Sequence, residues 1–332
     1  MTSNAPPRRQ GRTRGRLAIA AGVLVLAVLA ATATTLLPTA KGVAVGGQLA
    51  MHPGNVAPAL GNEPPDGPPP PNAPAPITIA VPGAHLTVPI LYYHYIRVIV
   101  PSPQNLLSFD LSISPMLFAE QMALLHVEGA HPITLATLMS ALAGKVSLPS
   151  HPVVLTFDDG YADFATAVQP VMARYGFVAT DYVVSGFLNR PRYMTAAQVR
   201  QMDADGMVIG SHTVRHVDVA AIPLAAARTE IDGGKATLEK LLGHPVVDFA
   251  YPYGGFNAAV VQLVQQAGFR DAVTTHYGSV QSLSEPLVFR RIEIGGAPSL
   301  VTFARDAGLP PPMPTQLPLI TRAAQSAPAR LA

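Results

Sequence analysis

Two adjacent carboxylates and a spaced pair of histidines set the chemistry open to this chain. The segment Val153-Val154-Leu155-Thr156-Phe157-Asp158-Asp159-Gly160 is an apolar run that ends abruptly in two acids and a glycine. Such a run reads as a buried parallel strand that delivers its polar residues at its C-terminal end, where α/β folds bind ligands. Adjacent carboxylates repel each other, so the pair is costly unless a cation or a shared proton offsets it. A bound metal would do so and would separate their tasks: one ligates, and the other stays free to take a proton. Taken alone, the segment is equally a strand followed by an Asp-Gly turn.

A second strand-like run, Gly206 to Ser211, ends in Ser211-His212-Thr213-Val214-Arg215-His216. If the chain turns helical at Ser211, a natural N-cap, His212 and His216 share one helical face. Two imidazoles, one carboxylate and a water make a known catalytic zinc set. A third run, Val246 to Ala250, leads into Tyr251-Pro252-Tyr253-Gly254-Gly255. A rigid proline followed by permissive glycines fixes a backbone amide in space, and an amide facing a metal could stabilise an oxyanion.

In this order the three segments resemble the polysaccharide deacetylases with the NodB-homology domain, carbohydrate esterase family four. Thr156-Phe157-Asp158-Asp159-Gly160 matches that family's first signature, Ser211-His212-Thr213-Val214-Arg215-His216 its second, and Pro252-Tyr253-Gly254 its third. The resemblance implies that Asp158 is the catalytic base. It implies that Asp159, His212 and His216 hold a divalent metal, zinc or another such as Co2+ or Ni2+. Tyr253 would lend its backbone amide to the oxyanion, with Pro252 beside the substrate; Tyr161, placed just after the Asp-Asp-Gly turn, reads equally as lining the substrate groove or as stacking on a helix. One departure stands out. The third motif usually begins with an Arg that pairs with the catalytic Asp, and here that position is Ala250. The form Phe249-Ala250-Tyr251-Pro252-Tyr253-Gly254 is similar to the poly-N-acetylglucosamine deacetylase branch, in which the His that protonates the leaving amine comes from the start of the domain. His94, near the end of the run Pro89 to Tyr95, is the candidate here, with His276 as alternate. Arg290 or Arg291 is the expected substitute for the missing Arg.

The resemblance implies removal of N-acetyl groups from an N-acetylglucosamine-containing polysaccharide. Two alternatives use the same sequence: an esterase acting on O-acetyl groups of a polysaccharide, or a glycan-binding module without catalysis. The second is hard to square with the retention of both carboxylates and both histidines.

The chain has 332 residues, ample for one large domain, and no cysteine, which removes disulfides and thiol chemistry. Its net charge of +2 owes its sign to five arginines before residue 17; without them 17 basic residues face 20 acidic ones. Nucleic-acid binding finds no support in that balance. Residues 1–16 read as a basic cytoplasmic segment and 17–37 as an uncharged apolar stretch of membrane-spanning length. It is expected as a transmembrane anchor with the rest of the chain outside, or as a signal segment whose cleavage would release a secreted protein. Residues 38–84, rich in Pro and Gly, read as an extended, disordered linker. The catalytic domain is expected over 85–309, with a Pro/Ala-rich tail over 310–332.

Within 85–309, strand-like and helix-like segments alternate. Expected helices include one opening at Ser114-Pro115, 135–143, 162–175, 195–204, 224–242 closed by Gly243, and one capped by Asn257. This alternation predicts an α/β fold with a parallel sheet covered by helices. Closure into an irregular (β/α) barrel is what the family resemblance implies. Oligomeric state is not legible from the sequence.

Overall fold

The computed structural model describes residues 85–326. At its centre seven parallel strands form a closed ring: β1 (Ile90–Tyr93), β2 (Pro152–Asp159), β3 (Thr180–Val183), β4 (Val208–Ser211), β5 (Asp248–Ala250), β6 (Asp271–Tyr277) and β7 (Phe289–Glu293). Each strand pairs with the next in sequence, and β7 returns to β1, with Ile292 opposite Leu91. The implied α/β barrel is therefore closed. A two-residue strand, His131–Pro132, lies outside the ring beside β2.

The helices that cover the ring are α1 (Pro115–Val127), α2 (Leu135–Leu142), α3 (Gln169–Tyr175), α4 (Ala196–Ala204), α5 (Leu224–Leu242), α6 (Ala258–Gln266), α7 (Leu300–Asp306) and α8 (Leu317–Gln325). Their boundaries follow from local chemistry. The Ser114 hydroxyl accepts the Leu117 amide at the start of α1, and the Asn257 side chain accepts the Val260 amide at the start of α6. Gly243, at φ 81°, ends α5 in the left-handed conformation that a glycine adopts without a side-chain penalty. The helix expected from Ala162 does start there, and it passes through a π-helical turn, Phe164–Val168, before α3.

Two apolar clusters explain why β2 is a continuous apolar run. Val153, Leu155 and Phe157 share one cluster with Phe118, Met122 and Leu125 of α1 and with Ile231 and Leu238 of α5. Val154, between them, joins Ile90, Tyr182, Ala250, Val273 and Phe289, each from a different strand, in a second cluster with Leu135, Leu138 and Leu142 of α2. Both faces of the strand are buried, so no polar alternation survives. Each fully buried Leu or Phe contributes roughly 1.5–3 kcal/mol.

The segment expected as a tail needs correction over its first part. α8 packs on α1 with Ile320, Ala323 and Ala324 buried, so the fold continues past residue 309 to Ser326. Pro318 falls in the first helical turn, where a missing N–H costs nothing, so its Pro-rich composition is compatible with a helix. Among the described residues no helix is long and apolar enough to cross a membrane. The expected basic segment, membrane segment and linker, residues 1–84, lie outside the described residues.

Candidate metal centre and active site

The strand ends bring Asp159, His212 and His216 together, but the chain between the histidines is not helical. β4 stops at Ser211, and Thr213 (φ 66°) and His216 (φ 55°) take left-handed backbone around a tight turn. The expected shared helical face is corrected to this turn, in which the Thr213 hydroxyl accepts the His216 amide. The two imidazole rings lie 4.8 Å apart, and their Nε2 atoms stand 3.6 Å and 3.1 Å from Asp159 Oδ1. Asp159 itself is left-handed at φ 79°, which takes its side chain out of the strand's alternation. That is how two consecutive aspartates come to face different partners.

This trio suits a divalent cation. His212 Nδ1–H donates to the Ala250 carbonyl at 2.8 Å, which leaves the Nε2 lone pair facing Asp159. Burial, the largest influence, pulls His212 down to about 4, so the ring is a neutral ligand at ordinary pH. Asp159 Oδ1 is buried and lacks a hydrogen-bond donor, although His216 Nε2 approaches it. A buried carboxylate oxygen facing imidazole lone pairs and lacking a donor is costly by itself and is satisfied by a metal. One ligand atom from each of the three residues lies within 4.8 Å of the others. Two nitrogens and an oxygen are a donor set that zinc, cobalt and nickel accept.

Asp158 meets a different partner. Arg291, on β7, donates to it twice, Nη1 to Oδ1 at 2.8 Å and Nη2 to Oδ2 at 2.7 Å. Its Nε donates to the Thr274 carbonyl, and its guanidinium lies 4.2 Å from the centre of the Tyr92 ring. Both partners are buried, with side-chain exposures of 0% and 4%. Burial alone would raise the Asp158 pKa, but the charge and hydrogen bonds of Arg291 outweigh it and hold the carboxyl well below the usual range. Arg291 thus occupies the pairing role left open at Ala250. Arg290, the other candidate, is exposed, and its backbone N–H donates to Gln281.

The remaining candidates are placed as follows. Tyr253 is 68% exposed, its ring lies 4.7 Å from that of His216, and its backbone is left-handed at φ 59°. Buried Pro252 precedes it, and Gly254 follows at φ 72°, where a Cβ would meet Thr275 Oγ1 at 2.0 Å. Only glycine permits that approach, which fixes the Tyr253 amide beside the histidine turn. His94 follows β1, half-buried and near enough that its charge adds to the lowering of Asp158. His276 lies exposed on β6 with its ring 5.1 Å from that of Phe256. It makes no described contact with the metal trio or Asp158. Tyr161 is nearly buried, stacked on Tyr193 and hydrogen-bonded to Tyr95.

Comparison with known proteins matches residues 145–272 to the polysaccharide deacetylase family model. Over those residues the barrel is similar to the polysaccharide deacetylases. The matched stretch contains Asp158, Asp159, His212, His216 and Tyr253, whereas His94 and Arg291 lie outside it. The chain is 28% identical to the Streptococcus pyogenes deacetylase PplD, solved in complex with acetate. That match has a TM-score of 0.62 and covers 68% of this chain and 99% of the other. YxkH of Bacillus subtilis is 25% identical over 62% of this chain and 71% of its own length. The poly-beta-1,6-N-acetyl-D-glucosamine N-deacetylase of Escherichia coli K12 is 26% identical over 59% of this chain but only 35% of its own length.

One further residue of the barrel supports the site. Glu230, inside α5, is 2% exposed and accepts from the Val214 and Arg215 amides and from Arg215 Nε. It holds the turn between the two histidines. The signal was available: Glu230 falls on the buried stripe with Ala227, Ile231, Gly234 and Leu238, where a charge needs a partner. Glu230→Gln removes the charge that three donors face while keeping the shape. It is expected to weaken zinc binding by about 10- to 100-fold, the usual effect of losing an outer support of a ligand, as measured by calorimetric titration of metal.

Proposed function

We propose that this protein is a metal-dependent enzyme that removes N-acetyl groups from an N-acetylglucosamine-containing polysaccharide, releasing acetate and leaving a free amine. The observation that carries the reading is the division of the paired carboxylates. Asp159 joins His212 and His216, while Asp158, kept ionised by Arg291, remains a separate proton acceptor. Asp159, His212 and His216 would hold the metal. When bound, a divalent ion such as zinc supplies Lewis acidity, lowering the pKa of a water and polarising the acetyl carbonyl.

The chain's own groups supply the rest. Asp158 takes the proton of the attacking water, the Tyr253 amide donates to the developing oxyanion, and His94 gives a proton to the departing nitrogen. Pro252 fixes that amide and Tyr161 borders the substrate. The substrate class is supported by the named activity of the Escherichia coli relative. The apolar segment 17–37 behind its arginine-rich flank supports an anchored domain working outside the membrane on cell-wall or exported glycan.

An O-acetyl esterase would use the same residues. The two readings separate when the full chain is given matched N-acetylated and O-acetylated glycans and acetate is measured. Release at least about tenfold faster from the N-acetylated glycan is expected; the reverse preference would replace the amidase reading with the esterase.

A further inference from the structure

His94 is fixed through its backbone but not through hydrogen bonds to its ring. On one side Tyr93 pairs with Phe157 of β2. On the other, Tyr95 pairs with Ser112, and its amide donates to the Leu111 carbonyl at 3.1 Å. The imidazole itself makes no hydrogen bond among the described residues. The ring packed against it is that of Tyr92, 5.6 Å away centre to centre and tilted by 68°. An edge-to-face contact of this kind shifts a rotamer equilibrium by about two- to tenfold.

Tyr92 is in turn held from the other direction. Along β1, Leu91 and Tyr93 join the outer cluster under α1, whereas Ile90 joins the barrel interior. Strand alternation therefore sends Tyr92, 4% exposed, into the barrel with Ile90. There its ring lies 4.2 Å from the Arg291 guanidinium carbon. That guanidinium is a fixed plane. It donates to the Thr274 carbonyl, to Thr156 Oγ1 and to both oxygens of Asp158. One tyrosine ring thus touches both the cation that holds the base and the imidazole read as the acid. We propose that Tyr92 is a positioning residue: braced on Arg291, its ring aims His94 at the departing nitrogen. The proposal rests on the deacetylase reading with His94 as proton donor. Because Asp158 keeps its hydrogen bonds to Arg291 without Tyr92, the loss falls on the acid and not on the base.

The test is turnover by the zinc-loaded full chain of N-acetylglucosamine oligomers and of 4-nitrophenyl acetate, whose leaving group departs without a proton. Tyr92→Leu removes the ring. It is expected to lower kcat on the oligomers about tenfold with KM within about twofold, and to change ester turnover less than about twofold. Tyr92→Phe keeps the ring and is expected to stay within about threefold on the oligomers. His94→Gln is expected to cost about 10²-fold on the oligomers, and adding Tyr92→Leu to it less than about twofold more. Urea unfolding checks that each variant is folded. If Tyr92→Leu is not, Tyr92→Met, whose flexible side chain fills irregular gaps, takes its place. If the ester is not turned over, the combination with His94→Gln decides. Equal slowing on amide and ester, a Tyr92→Phe loss as large as that of Tyr92→Leu, or full additivity with His94→Gln would overturn the positioning role. No acetate release from the oligomers by the unsubstituted chain would instead overturn the deacetylase reading, and the role of Tyr92 with it.

Discussion

Asp158→Asn is expected to slow acetate release by about 10³-fold, within the usual range for losing a positioned general base. Asparagine keeps the shape and one acceptor for the Arg291 guanidinium but cannot take the water's proton. Asp159, His212 and His216 are untouched, so zinc affinity measured by calorimetry should stay within about threefold of the unsubstituted chain. Loss of both together would mean that Asp158 belongs to the ligand set and that the division of the two carboxylates is wrong.

Arg291→Met carries the second large effect, and it falls on stability as well as rate. The pair is buried on both sides, and removing one partner leaves an uncompensated charge, which costs about 3–5 kcal/mol. The pH dependence changes sign. In the unsubstituted chain Arg291 holds the folded Asp158 pKa below its unfolded value of about 3.9. The pair's contribution is therefore complete above that value and lost only as the pH falls through the depressed one. Without Arg291, burial dominates and the folded pKa rises above the unfolded one. The carboxyl then favours folding at low pH and opposes it as the pH rises. Urea unfolding at pH 4 and pH 7 should show the difference between the two proteins widening at pH 7, and the acid limb of the activity profile should move to higher pH. A uniform stability loss at both pH values would show that Arg291 matters only for packing.

The parts of the fold that were legible are those whose cause is local. Val153 to Phe157 reads as a buried strand because both its faces are apolar, and α5 is bounded by Gly243 because a left-handed residue must end it. The caps at Ser114 and Asn257 are three-residue patterns. What the sequence hid depends on distant partners. Ser211 can cap a helix, so the local signal at the histidine turn is compatible with one. Its left-handed Thr213 and His216 are stable only with Glu230 of α5 gripping the turn from 15 residues away. Arg291 reaches Asp158 across 133 residues, and nothing local distinguishes it from Arg290 except which side of β7 each faces. The helix α8 is masked by the prolines before and at its start, because composition reports how many there are and not that Pro318 sits where a helix tolerates it.

The most direct test of the central claim is acetate release from N-acetylglucosamine oligomers by the full chain as purified, after chelation, and after zinc is returned. Chelation is expected to abolish release and zinc to restore it, with the chain folded throughout. Release that persists in the chelated, metal-free chain would contradict the account, because Asp159, His212 and His216 would then have no metal to hold in the reaction.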